Sequence, residues 1–298
     1  MRLAHAEGQV LGMSAHRTGK ILPVPLKEGW TMAEDEGARG PRLRSYEPPE
    51  IEIVVPQAGE MDVLAAAEAY LSSSGAHLPD LTDEWVRSHA GTLHVPEGTG
   101  ARGWLAKLKE QLVQAQHDQA LAEKPARCAQ ALAERLIDPP DDMTVEHVRL
   151  GLLQSLAAER THDPKGFEER LRLQKVASVE ELAAQLAPQV AAQASALDAW
   201  GAHENIEVTE AELPRYLRMA PMQAKARIQQ ARHDGSYPVL LRDARRNKCA
   251  LLLAERCQCH LVPESEASAK ARWQSYETYP AFAHIDLEHE RQRLFPET

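Results

Sequence analysis

Alanine is the feature that most constrains how this chain folds, since 46 of its 298 residues are alanine. Alanine has the highest intrinsic helix propensity, and Leu, Glu, Gln and Arg, which also favour helices, fill much of the remaining sequence. Only three Phe, five Trp and six Tyr are present. Because strands are built mainly from β-branched and aromatic side chains, this composition predicts a mainly α fold.

Charge and hydropathy exclude several classes of protein. The net charge of −10 argues against a general nucleic-acid coat, which needs a positive surface. No stretch approaches the roughly 18 apolar residues that a membrane helix requires, so no membrane association is expected. The first residues, MRLAHAEGQVLG, do not read as a secretory signal, and four Cys do not make a disulfide framework. We therefore expect a cytoplasmic protein.

The first 77 residues read as a small α+β region. Residues 1–49 have little pattern and end in the breaker-rich stretch 37–50. The β-branched run Ile51–Val55 predicts a strand that stops at Pro56, and helical spacing follows from Met61 to Ser74. We expect any strand of this protein to lie before residue 60.

From residue 78 onward the apolar spacing is helical, so residues 78–259 are expected to be almost entirely helix. Ser178 and Thr209 each begin a capping-box motif, and Pro238 suits the first turn of a last strong helix. The apolar positions of the three main predicted helices are Trp104, Leu105, Leu108 and Leu112; Val145, Val148, Leu152 and Leu156; and Leu182, Leu186, Val190 and Leu197.

Four motifs in this part of the chain resemble the trigger factor chaperone family. They are LPDLTDEW at 78–85, the Pro139-Pro140 turn before Met143, IEVTEAEL at 206–213, and LRDARRNKCALLL at 241–253. They occur in the family's order and approximate spacing over residues 78–259. The family's peptidyl-prolyl isomerase domain has no counterpart, because residues 61–74 lead directly into the first motif.

The resemblance implies a fold, a domain division and a function. The fold would be mainly α, with extended helical arms forming a cradle and a small α+β N-terminal region. Residues 1–77 would be a reduced ribosome-docking domain and residues 78–298 the helical chaperone domain. The function would be an ATP-independent holdase that binds exposed apolar segments of nascent or unfolded polypeptides without a cofactor. A second copy of the chain, in a homodimer, is a further partner to test for.

Two sets of residues follow from this interpretation. The family's ribosome-binding loop, G-F-R-x-G-K-x-P, is matched in part by Arg17, Gly19 and Lys20, although the Gly-Phe is missing. The flexible and polarizable Met side chain suits promiscuous apolar recognition. The predicted client-binding residues are Leu217, Met219, Met222, Leu240 and Leu241. The alternative for the first four of these is that they are core residues.

The remaining patterns identify no catalytic group and no metal site. None of the 13 His, including His77, falls in a known ligand spacing, and Cys257-Gln-Cys-His260 lacks a second ligand pair. Residues 215–248 hold nine basic and two acidic residues, which fit either a contact with ribosomal RNA or solvated helix faces. Two alternative functions stay open: a prolyl isomerase with a diverged domain, and a helical adaptor or periplasmic-type chaperone.

Overall fold

The structure is a computed structural model that describes residues 40–217, 219–277 and 282–296. It is mainly helical with a small two-stranded parallel sheet, which confirms the predicted fold class. Strand β1 spans Glu50–Val55 and strand β2 spans Gln258–Pro263. Within the described ranges, no helix has both the length and the apolarity needed to cross a membrane.

Strand β2 corrects the expectation that strands would lie only before residue 60. Helix ends at Arg256, and the next residues pair with β1, which lies about 200 positions earlier in the chain. The Glu264 N–H donates to the Val55 carbonyl at 3.0 Å and continues this pairing. The segment has one β-branched residue, Val262, so its strand conformation depends on the pairing partner.

The chain forms two compact units, and their boundaries differ from those of the predicted domains 1–77 and 78–298. Unit 1 holds the described residues of 52–123 and 261–296, and unit 2 holds those of 40–51 and 124–260. The division therefore falls within β1, within β2 and within one long helix.

Unit 1 is built around a nearly enclosed first helix. Helix α1 buries apolar side chains on most of its circumference, and residues on both sides of position 77 share its core. Trp104, Leu105, Leu108 and Leu112 are all buried in this core, as their spacing predicted. The elements of unit 1 are α1 (Glu60–Ser72), a 3-10 turn (Leu78–Asp80), α2 (Asp83–Ser88), α3 (Ala90–Leu93), the first part of α4 (Ala101–Ala133), α11 (Glu266–Glu277) and α12 (Leu287–Leu294).

Helices α11 and α12 come after the helix at Pro238, which the sequence predicts as the last strong helix. Asp62 of α1 ties α11 to the core by accepting four donors. Its Oδ2 accepts from the Gly59 N–H at 2.8 Å and the Trp273 indole at 2.9 Å, and its Oδ1 accepts from the Tyr276 hydroxyl at 2.7 Å and from Arg272. Gly59 is required here, because a Cβ would lie 2.5 Å from the Trp273 ring.

Unit 2 is a set of helices packed through alanine and leucine. Helices α5 and α7 share a core that contains Val148, Leu152 and Leu156 of the predicted stripe together with Leu182. Val145, Leu186 and Val190, also predicted as apolar stripe positions, pack against it and are partly buried. The helices of unit 2 are the end of α4, then α5 (Asp142–His162), α6 (Pro164–Leu173), α7 (Val179–His203), a 3-10 turn (Glu210–Glu212), α8 (Leu213–Tyr216), α9 (Pro221–His233) and α10 (Tyr237–Arg256).

Candidate functional site

The five predicted client-binding residues lie in unit 2, where the structure divides them into two groups. Leu240 is buried, and Leu217 and Leu241 pack partly buried against the cluster that it belongs to. Met219 and Met222 face solvent, and the Met222 side chain is 84% exposed. Three of the five therefore build the core that joins α8, α9 and α10, and two belong to the surface.

Other large apolar side chains of unit 2 are exposed as well. Met143 is 67% exposed, and Leu150, two turns further along α5, is 47% exposed. Positions seven residues apart lie on the same face of a helix. We call the exposed large apolar residues among the described positions of unit 2 the exposed apolar set; its members are Ile137, Met143, Leu150, Met219 and Met222.

The predicted ribosome-docking residues Arg17, Gly19 and Lys20 lie outside the described residues. The basic segment 215–248 is described except for Arg218.

Several cations of that segment have acidic partners from neighbouring elements. Arg246 forms a bidentate pair with Asp198 of α7, with Nε 2.9 Å from Oδ1 and Nη2 2.5 Å from Oδ2. Arg232 pairs with Glu210. These pairs use part of the basic excess within the unit, which favours helix faces over a contact with ribosomal RNA.

Lys248, another cation of the basic segment, also pairs with groups of the same unit. Its Nζ lies 2.8 Å from the Glu212 carboxylate and 2.7 Å from the Glu207 carbonyl. The hydrogen bond from Lys248, followed by one from the Thr209 backbone, lowers the pKa of Glu212 to about 2. Thr209 was predicted to cap a helix, and its N–H does donate to Glu212 at 2.9 Å. Lys248 thus secures the start of α8.

The cysteines at the end of α10 lie beside a third thiol. Cys257 Sγ is 2.9 Å from Cys128 Sγ of α4, and both side chains are buried. Burial and the contact with Cys257 raise the pKa of Cys128. The Nε2 atom of His260 lies 2.9 Å from Oε1 of Glu50, which belongs to β1. Because a metal-binding or reactive Cys must be a thiolate, the raised pKa favours a structural thiol pair.

A cluster of potential ligands in unit 1 was missed by the sequence interpretation. Glu68 of α1 is 1% exposed, and its Oε1 lies 2.7 Å from His77 Nδ1 and 3.3 Å from His284 Nε2. The two histidine nitrogens are 3.1 Å apart. His284 is more than 200 positions from its partners, so no local spacing identifies the cluster.

The chain has no match among protein-family models, curated proteins or solved structures. The resemblance to trigger factor therefore stays a prediction that depends on the motifs quoted above.

Proposed function

We propose that this protein is an ATP-independent holdase that binds exposed apolar segments of nascent or unfolded polypeptides in the cytoplasm. The exposed apolar set of unit 2 carries the proposal. Apolar side chains in water are costly unless a partner covers them, and exposed apolar patches on proteins often serve as binding surfaces. Three members of the set are Met, whose flexible and polarizable side chain adapts to unrelated apolar partners.

The proposed mechanism is mass action without bond chemistry. A client segment transfers part of its apolar surface from water to the exposed apolar set, which contributes about 25 cal/mol for each Å² removed from water. Binding lowers the concentration of the unfolded species that aggregates, and no nucleotide is needed. Because few directional hydrogen bonds are involved, affinity is expected to be weak and to depend little on client sequence.

The test is the aggregation of a chemically denatured model protein, followed by light scattering at modest molar excess of this chain. The parent is expected to delay aggregation without ATP. A variant with Met143→Ser, Met219→Ser and Met222→Ser is expected to lose most of this protection and to keep its helical circular dichroism. Leu240 is left unchanged, because it is buried and its replacement would test folding.

The matched control changes three exposed glutamines on α5 and α9, Gln154→Ser, Gln223→Ser and Gln229→Ser. This control is expected to protect as well as the parent. Equal protection by the Met variant would exclude these methionines as the client surface. Acceleration of cis–trans exchange in a proline peptide by the purified chain would instead support the isomerase alternative.

Ribosome association is a separate part of the proposal and rests on Arg17, Gly19 and Lys20. Co-sedimentation with ribosomes, with and without nascent chains, tests it directly. The double variant Arg17→Ala and Lys20→Ala is expected to reduce co-sedimentation and to leave protection of a denatured client unchanged. Unchanged co-sedimentation of this variant would assign docking to other residues.

A further inference from the structure

We propose that Glu68, His77 and His284 form a zinc-binding site in unit 1, with water completing the coordination. One ligand atom from each residue converges: Glu68 Oε1, His77 Nδ1 and His284 Nε2 all lie within 4.8 Å of one another. Two imidazoles and one carboxylate are a ligand set that proteins use for zinc sites with an open position. The inference is independent of the holdase proposal, which concerns unit 2.

The separations between the ligand atoms match those around a tetrahedral zinc ion. Bonds of about 2.0–2.1 Å at tetrahedral angles place neighbouring ligand atoms about 3.3 Å apart. Two distances already match this value: His284 Nε2 lies 3.1 Å from His77 Nδ1 and 3.3 Å from Glu68 Oε1. The Glu68–His77 distance of 2.7 Å has to widen, and the His77 side chain, 45% exposed, has room to rotate.

The surrounding structure orients the ligand that is least able to move. Glu68 Oε2 accepts the Leu78 N–H at 2.8 Å, which leaves Oε1 directed at the two imidazoles. The backbone N–H of His77 donates to Asp80 Oδ2 at 2.9 Å, and this bond holds the start of the 3-10 turn. Such contacts behind the ligands fix their orientation and raise metal affinity.

A second set of contacts brings the third ligand to this place. Arg293 of α12 donates to the Leu78 carbonyl at 2.8 Å and to the Leu81 carbonyl at 3.0 Å. Helix α12 is thereby tied to the turn that carries His77, and His284 lies three residues before that helix. The His284 side chain is 48% exposed, so an ion and its water can reach the site.

The ligand types favour zinc over calcium and magnesium. Calcium and magnesium prefer all-oxygen sites, whereas imidazole suits zinc and its transition-metal neighbours. Binding uses a lone pair from each imidazole, so a proton on a ligating nitrogen moves to the other ring nitrogen or leaves to solvent. The ion would join α1 and the turn at 78–80 to the segment before α12, so it would stabilise unit 1.

The test uses the full chain after metal removal with a chelator, titrated with zinc chloride in a calorimeter. One ion per chain is expected, with a rise of several degrees in Tm at saturation. The variant His284→Asn is expected to weaken binding by at least about 100-fold, since loss of outer contacts alone costs 10–100-fold. Circular dichroism should stay unchanged, because this side chain lies half in solvent.

The matched control is His289→Asn, an exposed histidine five positions further on, which should bind zinc like the parent. Cobalt substitution separates this site from the cysteines of unit 2, because thiolate ligands add an intense near-ultraviolet charge-transfer band. A spectrum without that band, weakened in His284→Asn, supports the assignment. Failure of the parent to bind zinc, equal affinity in His284→Asn, or a thiolate band would overturn it.

Discussion

The two units differ in the polar side chains that they bury. The four buried carboxylate and amide side chains among the described residues all lie in unit 1, and two of them, Asp62 and Glu68, are 3% and 1% exposed. Both units fill their cores with alanine and leucine, and both leave large apolar side chains in solvent, such as Val54 at 58% in unit 1 and Met222 at 84% in unit 2.

This difference indicates which contacts determine how the helices of each unit pack. A buried carboxylate is stable only with its hydrogen-bond partners in place, so the Asp62 network demands one arrangement of α1 and α11. Alanine-rich helix contacts are locally favourable and accept many partners, and exposed methionines add no constraint on packing. Unit 1 is therefore expected to respond sharply to changes in its buried carboxylates, whereas unit 2 is expected to respond mainly to changes in its buried leucines.

The largest expected effect is the loss of Asp62. Asp62→Ala removes one of the two carboxylates paired with the buried Arg272 side chain, which keeps Glu264 at 2.8 Å, and it removes the shared acceptor of Trp273 and Tyr276. Breaking a buried, hydrogen-bonded pair costs about 3–5 kcal/mol of unfolding free energy. Urea denaturation measures this loss. Glu84→Ala, an exposed carboxylate of the same unit, is the control and should change stability by less than about 0.5 kcal/mol.

A pair of leucines on α5 tests the other side of the comparison. Leu152 is 2% exposed and lies in the core with Leu182, so Leu152→Ala should cost about 2–4 kcal/mol. Leu150→Ala, at a position 47% exposed, should change stability by less than about 0.5 kcal/mol. Urea denaturation compares them. A large cost at Leu150 that grows with protein concentration would indicate that a second copy covers this face.

The smallest expected effect concerns a carboxylate of unit 2. Burial raises the pKa of Asp243 to about 6, although Arg246 Nη1 lies 3.6 Å from its Oδ1. An unfolded Asp titrates near pKa 3.9, so between about pH 4 and pH 6 the folded state binds more protons. The Asp243 contribution to stability is therefore present below about pH 4 and is lost as the pH rises through 6.

Asp243→Asn removes this titration at nearly constant volume. The variant is expected to be about 1–2 kcal/mol more stable than the parent at pH 7 and equally stable near pH 4. Urea denaturation at both pH values measures the difference, and Asp142→Asn, exposed on α5, controls for the change in net charge. Lower stability of Asp243→Asn at pH 7 would mean that attraction to Arg246 outweighs the cost of burial.

The candidate residues show how far prediction from sequence reached. Helical spacing identified Leu240 and Met222 as apolar positions, but spacing defines a face of a helix and not what covers it. In the structure Leu240 lies in a core and Met222 in solvent. His77 falls in no ligand spacing of the sequence, because its partner His284 comes from the far end of the chain.

The sequence by itself determined the helical class and the buried stripes of the main helices, because propensity and the 3.6-residue period act within a few turns. Only the tertiary structure decided that residues 258–263 form a strand, that Asp62 meets donors from α11, and that Glu68 faces two imidazoles. Each of these features needs at least one partner that lies about 200 residues away in the chain. Their free energy comes from contacts that exist only once the chain has folded.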